Sequence, residues 1–329
     1  MILAGDIGGT NARLAFFDVT DGHFRLISAS VFHSREYSGL DQIVSRFVDN
    51  SNLHPDAACF GVAGPVRNGR VETSNLPWII ESGRLADELN LAEAVLINDL
   101  EANAWGIASL DPEDVVPLNQ VKGNPAGNQA VISAGTGLGE AGMVWGGAQY
   151  RIFATEGGHS DFAPRNELEI ELFRYLSGRY GHVSYERVVS GPGLVNVFHF
   201  LRDTGRGTEP QWLTDQMVQS DPAAAISRAA LDGACALCEQ ALDLFVSVFA
   251  AEAGNLALKV LATGGVYLGG GIAPKMLTKL SGPLFMHAFA GKGRMQPLLE
   301  AMPVKVITND KTALMGAARC AAANGSLLT

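Results

Sequence analysis

The segment from Leu3 to Asp18, LAGDIGGTNARLAFFD, constrains this chain more than any other. An apolar run carries one carboxylate, Asp6, meets a glycine pair, and resumes as a second apolar run. Glycines between two strand-like runs predict a hairpin. Gly8 and Gly9 allow the backbone to curl so that successive N–H groups point into one concavity, a shape that takes phosphate oxygens. Thr10 and Asn11 add side-chain donors, and Asp6 can hold a magnesium ion on the same phosphates. An ordinary hairpin with an Asx-type turn would carry the same residues, so this segment alone leaves both readings open.

The design recurs once. A strand predicted at Gln129 to Ser133 leads into Gly135-Thr136-Gly137-Leu138-Gly139, with another strand predicted at Ala141 to Trp145. A third glycine cluster, GGVYLGGGIAP, contains Gly270 and Gly271, and Pro274 suits the first turn of a new helix. The chain has no Walker A sequence, which disfavours a P-loop enzyme.

Around these turns, strands and helices alternate. Strands are predicted at Ile2 to Ala4, Arg13 to Asp18, Leu26 to Phe32, Ala57 to Val62 and Ala94 to Ile97. Helical spacing marks Leu40 to Asp49 and Asp99 to Ala108, so the first part is α/β with a mixed sheet. A proline-rich stretch from Leu110 to Gly127 predicts a domain change. Beyond it, helices are predicted at Glu167 to Ser177, at Gly193 to Arg202 and through a long run from Pro222 to Leu261. Gly233 and Gly254 are read as kinks or close contacts inside that run. A strand at Val304 to Ile307 and a helix at Thr312 to Ala323 end the pattern.

With 329 residues, 47% of them hydrophobic, the chain can build one large core or two lobes. A net charge of -10 repels nucleic acid and anionic membranes. The first residues lack the basic flank and apolar stretch of a secretory leader, and runs such as Leu244 to Ala251 are too short to span a bilayer, so a cytoplasmic protein is expected. Cys235 and Cys238 form a C-x-x-C in what reads as helix interior. With no second pair of ligands, buried free thiols are expected there and at Cys59 and Cys320.

In their order and spacing, the three glycine clusters resemble those of the hexokinase, actin and heat-shock-chaperone ATPase superfamily. Three more segments narrow the resemblance to bacterial glucokinases of the non-repressor (non-ROK) type: LINDLEANAWGI, ATEGGHSDFAP and GHVSYERVVSGPGLVN. The resemblance implies a two-lobed, ribonuclease-H-like α/β fold with the active site in the interdomain cleft. It implies a small domain of residues 1–109 plus 303–329 and a large domain of residues 110–302. It further implies ATP and Mg2+ held by Asp6, Gly8, Gly9, Thr10, Asn11, Gly135, Thr136, Gly137, Gly270 and Gly271, with the metal at Asp6 through water. Asp99 would be the general base on the glucose 6-hydroxyl. Asn75, Asn98, Asp99, Glu156, His159 and Glu186 would hold the sugar, since carboxylates accept from hydroxyls while Asn and His can donate. A homodimer is also implied.

A helix N-cap is the plain alternative for Asp99. Zinc at His159 is disfavoured, because no cysteine lies between Cys59 and Cys235. Glu140 departs from the family pattern, in which a small apolar residue follows this turn, and its side chain is expected to point away from the phosphates. Gly269, where alanine is common, reads as harmless. Two other functions compete: a sugar-responsive regulator, which would need a nucleic-acid module, and a nonenzymatic or polymerising ATPase, which would lack the sugar set.

Overall fold

A computed structural model describes residues 1–20, 23–73 and 76–325. Two compact units emerge, one of Met1–Asp114, Ile152–Ala154 and Asn309–Thr329, the other of Val115–Arg151 and Thr155–Thr308.

The first unit is built on strands β1 (Ile2–Ile7), β2 (Asn11–Thr20) and β3 (His23–His33), helix α1 (Leu40–Ser51), strands β4 (Ala57–Val62), β5 (Arg70–Glu72) and β6 (Ile79–Glu81), helix α2 (Ser82–Leu89), strand β7 (Val95–Asn98) and helix α3 (Asp99–Ile107). Five strands form one sheet in the order β3-β2-β1-β4-β7. β1 and β2 pair antiparallel across the glycine hairpin, whereas β1, β4 and β7 run parallel. The parallel strands are almost wholly buried, as apolar runs covered on both faces must be. α1 buries Leu40, Ile43, Val44 and Phe47, the stripe its helical spacing predicts, and ends on Asn52 in the left-handed region.

The second unit carries β8 (Val115–Pro117), β9 (Gln129–Ala134) and β10 (Leu138–Trp145), followed in the chain by β11 (Tyr150–Thr155), whose residues Ile152–Ala154 group with the first unit. Helices follow: α4 (Glu167–Tyr180), α5 (Gly191–Asp203), α6 (Gln211–Gln219), α7 (Pro222–Leu231) and α8 (Ala236–Val260). Next come β12 (Gly265–Gly269), α9 (Leu277–Leu280), α10 (Pro283–Ala290), α11 (Gln296–Glu300) and β13 (Val304–Ile307). Its sheet has the order β11-β10-β9-β12-β13-β8. β13 pairs in this sheet, and the chain re-enters the first unit at Asn309 rather than at 303. The last helix, α12 (Thr312–Asn324), packs on α3 through small residues: a Cβ on Gly316 would collide with the Ala102 carbonyl, and one on Gly106 with the Thr312 carbonyl.

The continuous helix predicted from Pro222 to Leu261 is in fact two. Gly233 takes φ = +66°, a geometry that ends α7 instead of kinking a longer helix, and Cys235 is the N-cap residue of α8. Pro274 opens a short 3-10 turn, as expected. All four cysteines are free and buried. α8, at 25 residues, is long and apolar enough to cross a membrane by length and composition, yet 78% of its most apolar window is buried inside the protein. Phe245, Val246, Phe249 and Ala253 show no exposure, so α8 is the core helix of its unit.

Candidate active site

The first glycine turn closes through the Gly8 N–H, which donates to the Asn11 carbonyl at 2.9 Å. Ser34 braces it from outside, its hydroxyl donating to the Gly8 carbonyl at 2.8 Å and its N–H to the Thr10 carbonyl at 3.0 Å. Asn11 Oδ1 lies 3.1 Å from His33 Nδ1. Neither Gly8 nor Gly9 has positive φ, so the curl expected from glycine freedom is made without the left-handed region. Gly8, Gly9, Ala63 and Thr73 line one small hollow. Thr10 is exposed at the tip of the turn.

Asp6 stands opposite Arg13 in the β1–β2 register. Burial pushes its carboxyl up; Arg13 draws it back, and the Asp310 carboxylate pushes it up again. Arg13 Nη1 donates to the Asp310 carbonyl at 2.8 Å and lies 3.5 Å from its carboxylate. Arg13 and Asp310 escaped the sequence reading. The one available signal was a carboxylate just past the strand Val304–Ile307, the same placement that drew attention to Asp99.

Asp99 is the first helical residue of α3, where β7 ends in the parallel sheet. It is half-buried, and its Oδ1 accepts from the Leu100 N–H at 3.0 Å. The N-cap is Asn98, not Asp99. Asn98 Oδ1 accepts from Leu100 N–H at 2.9 Å, and Glu101 Oε2 reaches back to Asn98 N–H at 3.0 Å, completing a capping box. Asn98 also donates to the Gly64 carbonyl at 3.2 Å. The cap thus leaves Asp99 at the positive end of α3. Asn75 lies outside the described residues; beside it, Thr73 donates to the Leu76 carbonyl at 2.8 Å.

In the second unit, residues far apart in sequence converge. His159 Nε2 is 4.0 Å from Glu156 Oε2, and His159 Nδ1 is 4.0 Å from Glu186 Oε1. Glu156 and His159 are more than half exposed, so the three form an open polar set facing solvent. Among the described residues no group of three or more His, Cys, Asp and Glu side chains is placed to hold a metal ion. The loop lies tight on β10: a Cβ at Gly158 would collide with the Leu138 carbonyl.

Glu186 also touches the second glycine turn, its Oε2 accepting from the Leu138 N–H at 2.9 Å. That turn is pinned twice, by the Gly135 N–H to the Gly137 carbonyl at 2.8 Å and by the Gly191 N–H to the Gly135 carbonyl at 2.8 Å. Thr136 is exposed at its tip. Gly270 takes φ = +81° against the Ala134 carbonyl, where a Cβ would collide, and the Ile272 N–H donates to that carbonyl at 3.3 Å. Gly270 and the second turn therefore sit together at the carboxyl ends of β9 and β12, while Gly271 stands in open space. Gly269 is less neutral than the sequence suggested, since a Cβ there would press on Ser133 Oγ.

A protein-family model described as Glucokinase matches residues 3–324. The chain is 43% identical over 339 aligned positions to a glucokinase of Nostoc sp., covering 98% of this chain and 99% of the relative. It superposes on the crystal structure of glucokinase from an Antarctic psychrotroph with a TM-score of 0.83 and 32% identity, over 97% of this chain and 98% of the other. A ROK-family glucokinase from Streptomyces griseus, solved with glucose and AMPPNP, shares the fold with a TM-score of 0.64 at 20% identity, over 97% of this chain and 98% of the other.

Proposed function

The chain belongs to the glucokinase family, and on that premise we propose that it transfers the γ-phosphoryl group of ATP to the 6-hydroxyl of glucose, with Asp99 as general base. The fold is the α/β fold of the sugar kinases it resembles. The observation that carries the residue-level reading is the meeting of Glu156, His159 and Glu186 from two segments of the second unit. An open group of two carboxylates and an imidazole suits a ligand that offers hydroxyls as donors and acceptors. An actin- or chaperone-like ATPase has no use for such a set.

Asp99 accepts the hydroxyl proton as the oxygen attacks. Phosphoryl transfer has a loose transition state, so the base chiefly aims the nucleophile, and a carboxylate fixed on the first turn of a capped helix is preorganised for that. Asn98, and Asn75 by resemblance, complete the sugar contacts. Gly8, Gly9, Thr10 and Asn11 of the first unit and Gly135, Thr136, Gly137, Gly270 and Gly271 of the second are read as the nucleotide's residues. Asp6 and Asp310 offer hard oxygen donors of the kind Mg2+ takes alongside phosphates, and bound there the ion would neutralise phosphate charge. Cytoplasmic residence and a homodimer belong to the same reading.

A coupled assay with glucose and Mg-ATP tests it. Asp99→Ala is expected to lower kcat by at least ~10²-fold with the fold intact by circular dichroism. An undiminished rate in that variant, or no turnover by the unaltered protein, rejects the assignment.

A further inference from the structure

Glu140 follows the second glycine turn, yet it does not face the phosphates. It is 1% exposed and reaches beneath the Glu156–His159 loop. Its Oε2 occupies the place a Cβ on Gly157 would need. Thr155 ties the same two residues together, its hydroxyl donating to the Glu140 carbonyl at 3.2 Å and accepting from the Gly157 N–H at 3.1 Å.

The Glu140 carboxyl meets that of Glu252 on α8, itself with no exposure. Glu252 is already served, by Asn255 Nδ2 at 2.8 Å and Lys259 Nζ at 3.2 Å. Asn255 donates as well to the Tyr185 hydroxyl at 2.9 Å, next to Glu186. Glu140 Oε1, by contrast, is buried with no hydrogen-bond partner. Two buried carboxyls beside one lysine cannot both ionise cheaply. A proton kept on Glu140 relieves the conflict with Glu252. Burial first, then the Glu252 charge, push Glu140 up to about 8, with Lys259 opposing.

We propose that Glu140 is a positioning residue for the sugar loop: its neutral carboxyl, hydrogen-bonded to Glu252, seats Gly157 and so aims Glu156 and His159 at the hexose. The inference rests on the reading of Glu156 and His159 as sugar ligands. Loss of the proton places two negative charges under Gly157, and the loop must shift. Other titratable groups face the cluster: Lys259, Tyr185, the loop's own Glu156 and His159, and Lys292. Lys292 donates to the Ala251 carbonyl at 2.9 Å and to Asn255 Oδ1 at 2.5 Å. Desolvation, then Arg165, bring Lys292 down to about 8, with Glu252 and Glu169 opposing.

The test is the pH dependence of kcat and of both KM values from pH 6.5 to 9.5, for the unaltered enzyme, Glu140→Gln, Glu140→Met and Lys292→Met. The glucose KM of the unaltered enzyme is expected to rise about tenfold between pH 7 and 9, the change set by one proton lost near pH 8, with the ATP KM flat. Glu140→Gln, a neutral isostere, is expected to keep kcat and to flatten that rise. Glu140→Met serves in its place should the amide fail to fold, and Lys292→Met is expected to keep the rise. A rise that persists in folded Glu140→Gln or Glu140→Met, or vanishes in Lys292→Met, overturns the role of Glu140. Failure of the underlying site reads differently: Glu156→Ala and His159→Ala would then leave the glucose KM unchanged at every pH.

Discussion

At Gly270 one missing side chain sets how the nucleotide-side turn is built. The residue sits at φ = +81° with the Ala134 carbonyl where a Cβ would go. Gly270→Ala is expected to destabilise the protein by ~1–3 kcal/mol, the scale of forced left-handed backbone, and to raise the ATP KM while sparing that for glucose. Gly271→Ala, in open space, is expected to stay within about 0.5 kcal/mol by urea denaturation. The sequence announced a glycine cluster here but not which member was indispensable, because that depends on the carbonyl of Ala134, 136 positions earlier. Glu140 was illegible for a related reason. Leu138, Glu140, Ala141, Gly142 and Met143 are all buried, so β10 lacks the alternation that tells one face from the other. Its protonation also carries a sign. The unfolded chain gives up this proton near 4.5 and the folded chain near 8, so the stability that Glu140 contributes is full below 4.5 and falls as pH rises through that window. The melting temperature of Glu140→Gln relative to the unaltered protein should therefore climb from pH 5 to pH 8 and level off above; a constant difference would contradict it.

Among the elements, α3 links sequence to chemistry most directly. Its start was legible as an apolar run followed by Asn98-Asp99; the N-cap, weighed in the sequence only as the alternative role for Asp99, falls on Asn98. The Asn98 to Glu101 spacing is that of a capping box, and the box fixes the helix end that carries Asp99. Glu101→Ala removes the acceptor of the Asn98 N–H at 3.0 Å and should cost ~1 kcal/mol of stability. It should also lower kcat several-fold more than it changes the glucose KM, because the helix terminus that aims Asp99 loosens; Glu101→Gln, which still accepts, should restore both. Equal losses in the Ala and Gln variants would separate the box from catalysis. The α7–α8 break was hidden for the opposite reason. Residues 222–261 are rich in Ala and Leu on both sides of the break, so the apolar pattern runs on through it, and Asp232-Gly233 is the local signal that the helix ends there. α2 and α6 were missed because short, polar helices give little periodic signal: α2 spans 8 residues and α6 9, and α6 buries only Leu213.

For the molecule as a whole, the duplicated glycine hairpin was legible in the sequence, and its two copies lie in separate sheets, one between β1 and β2 and one between β9 and β10. The domain boundaries were less legible, because Ile152–Ala154 groups with the first unit from within the second and α12 returns from the chain's end. The proposed sugar residues are spread over both units, which makes a thermodynamic readout more telling than any single contact. A ligand that binds only the folded state stabilises it by RT ln(1 + [L]/Kd), about 2.7 kcal/mol at 100 times Kd. Glucose at that level should raise the melting temperature of the unaltered protein without any nucleotide present. If Glu156→Ala weakens glucose a hundredfold, the same sugar concentration should leave only ~0.4 kcal/mol, while ATP protection stays intact. An analogue lacking one bound hydroxyl should behave like the variant, since it strands a polar group that glucose had paired. Glucose protection that survives both Glu156→Ala and Glu186→Ala would mean the hexose is held elsewhere, and would detach the polar set of the second unit from the sugar.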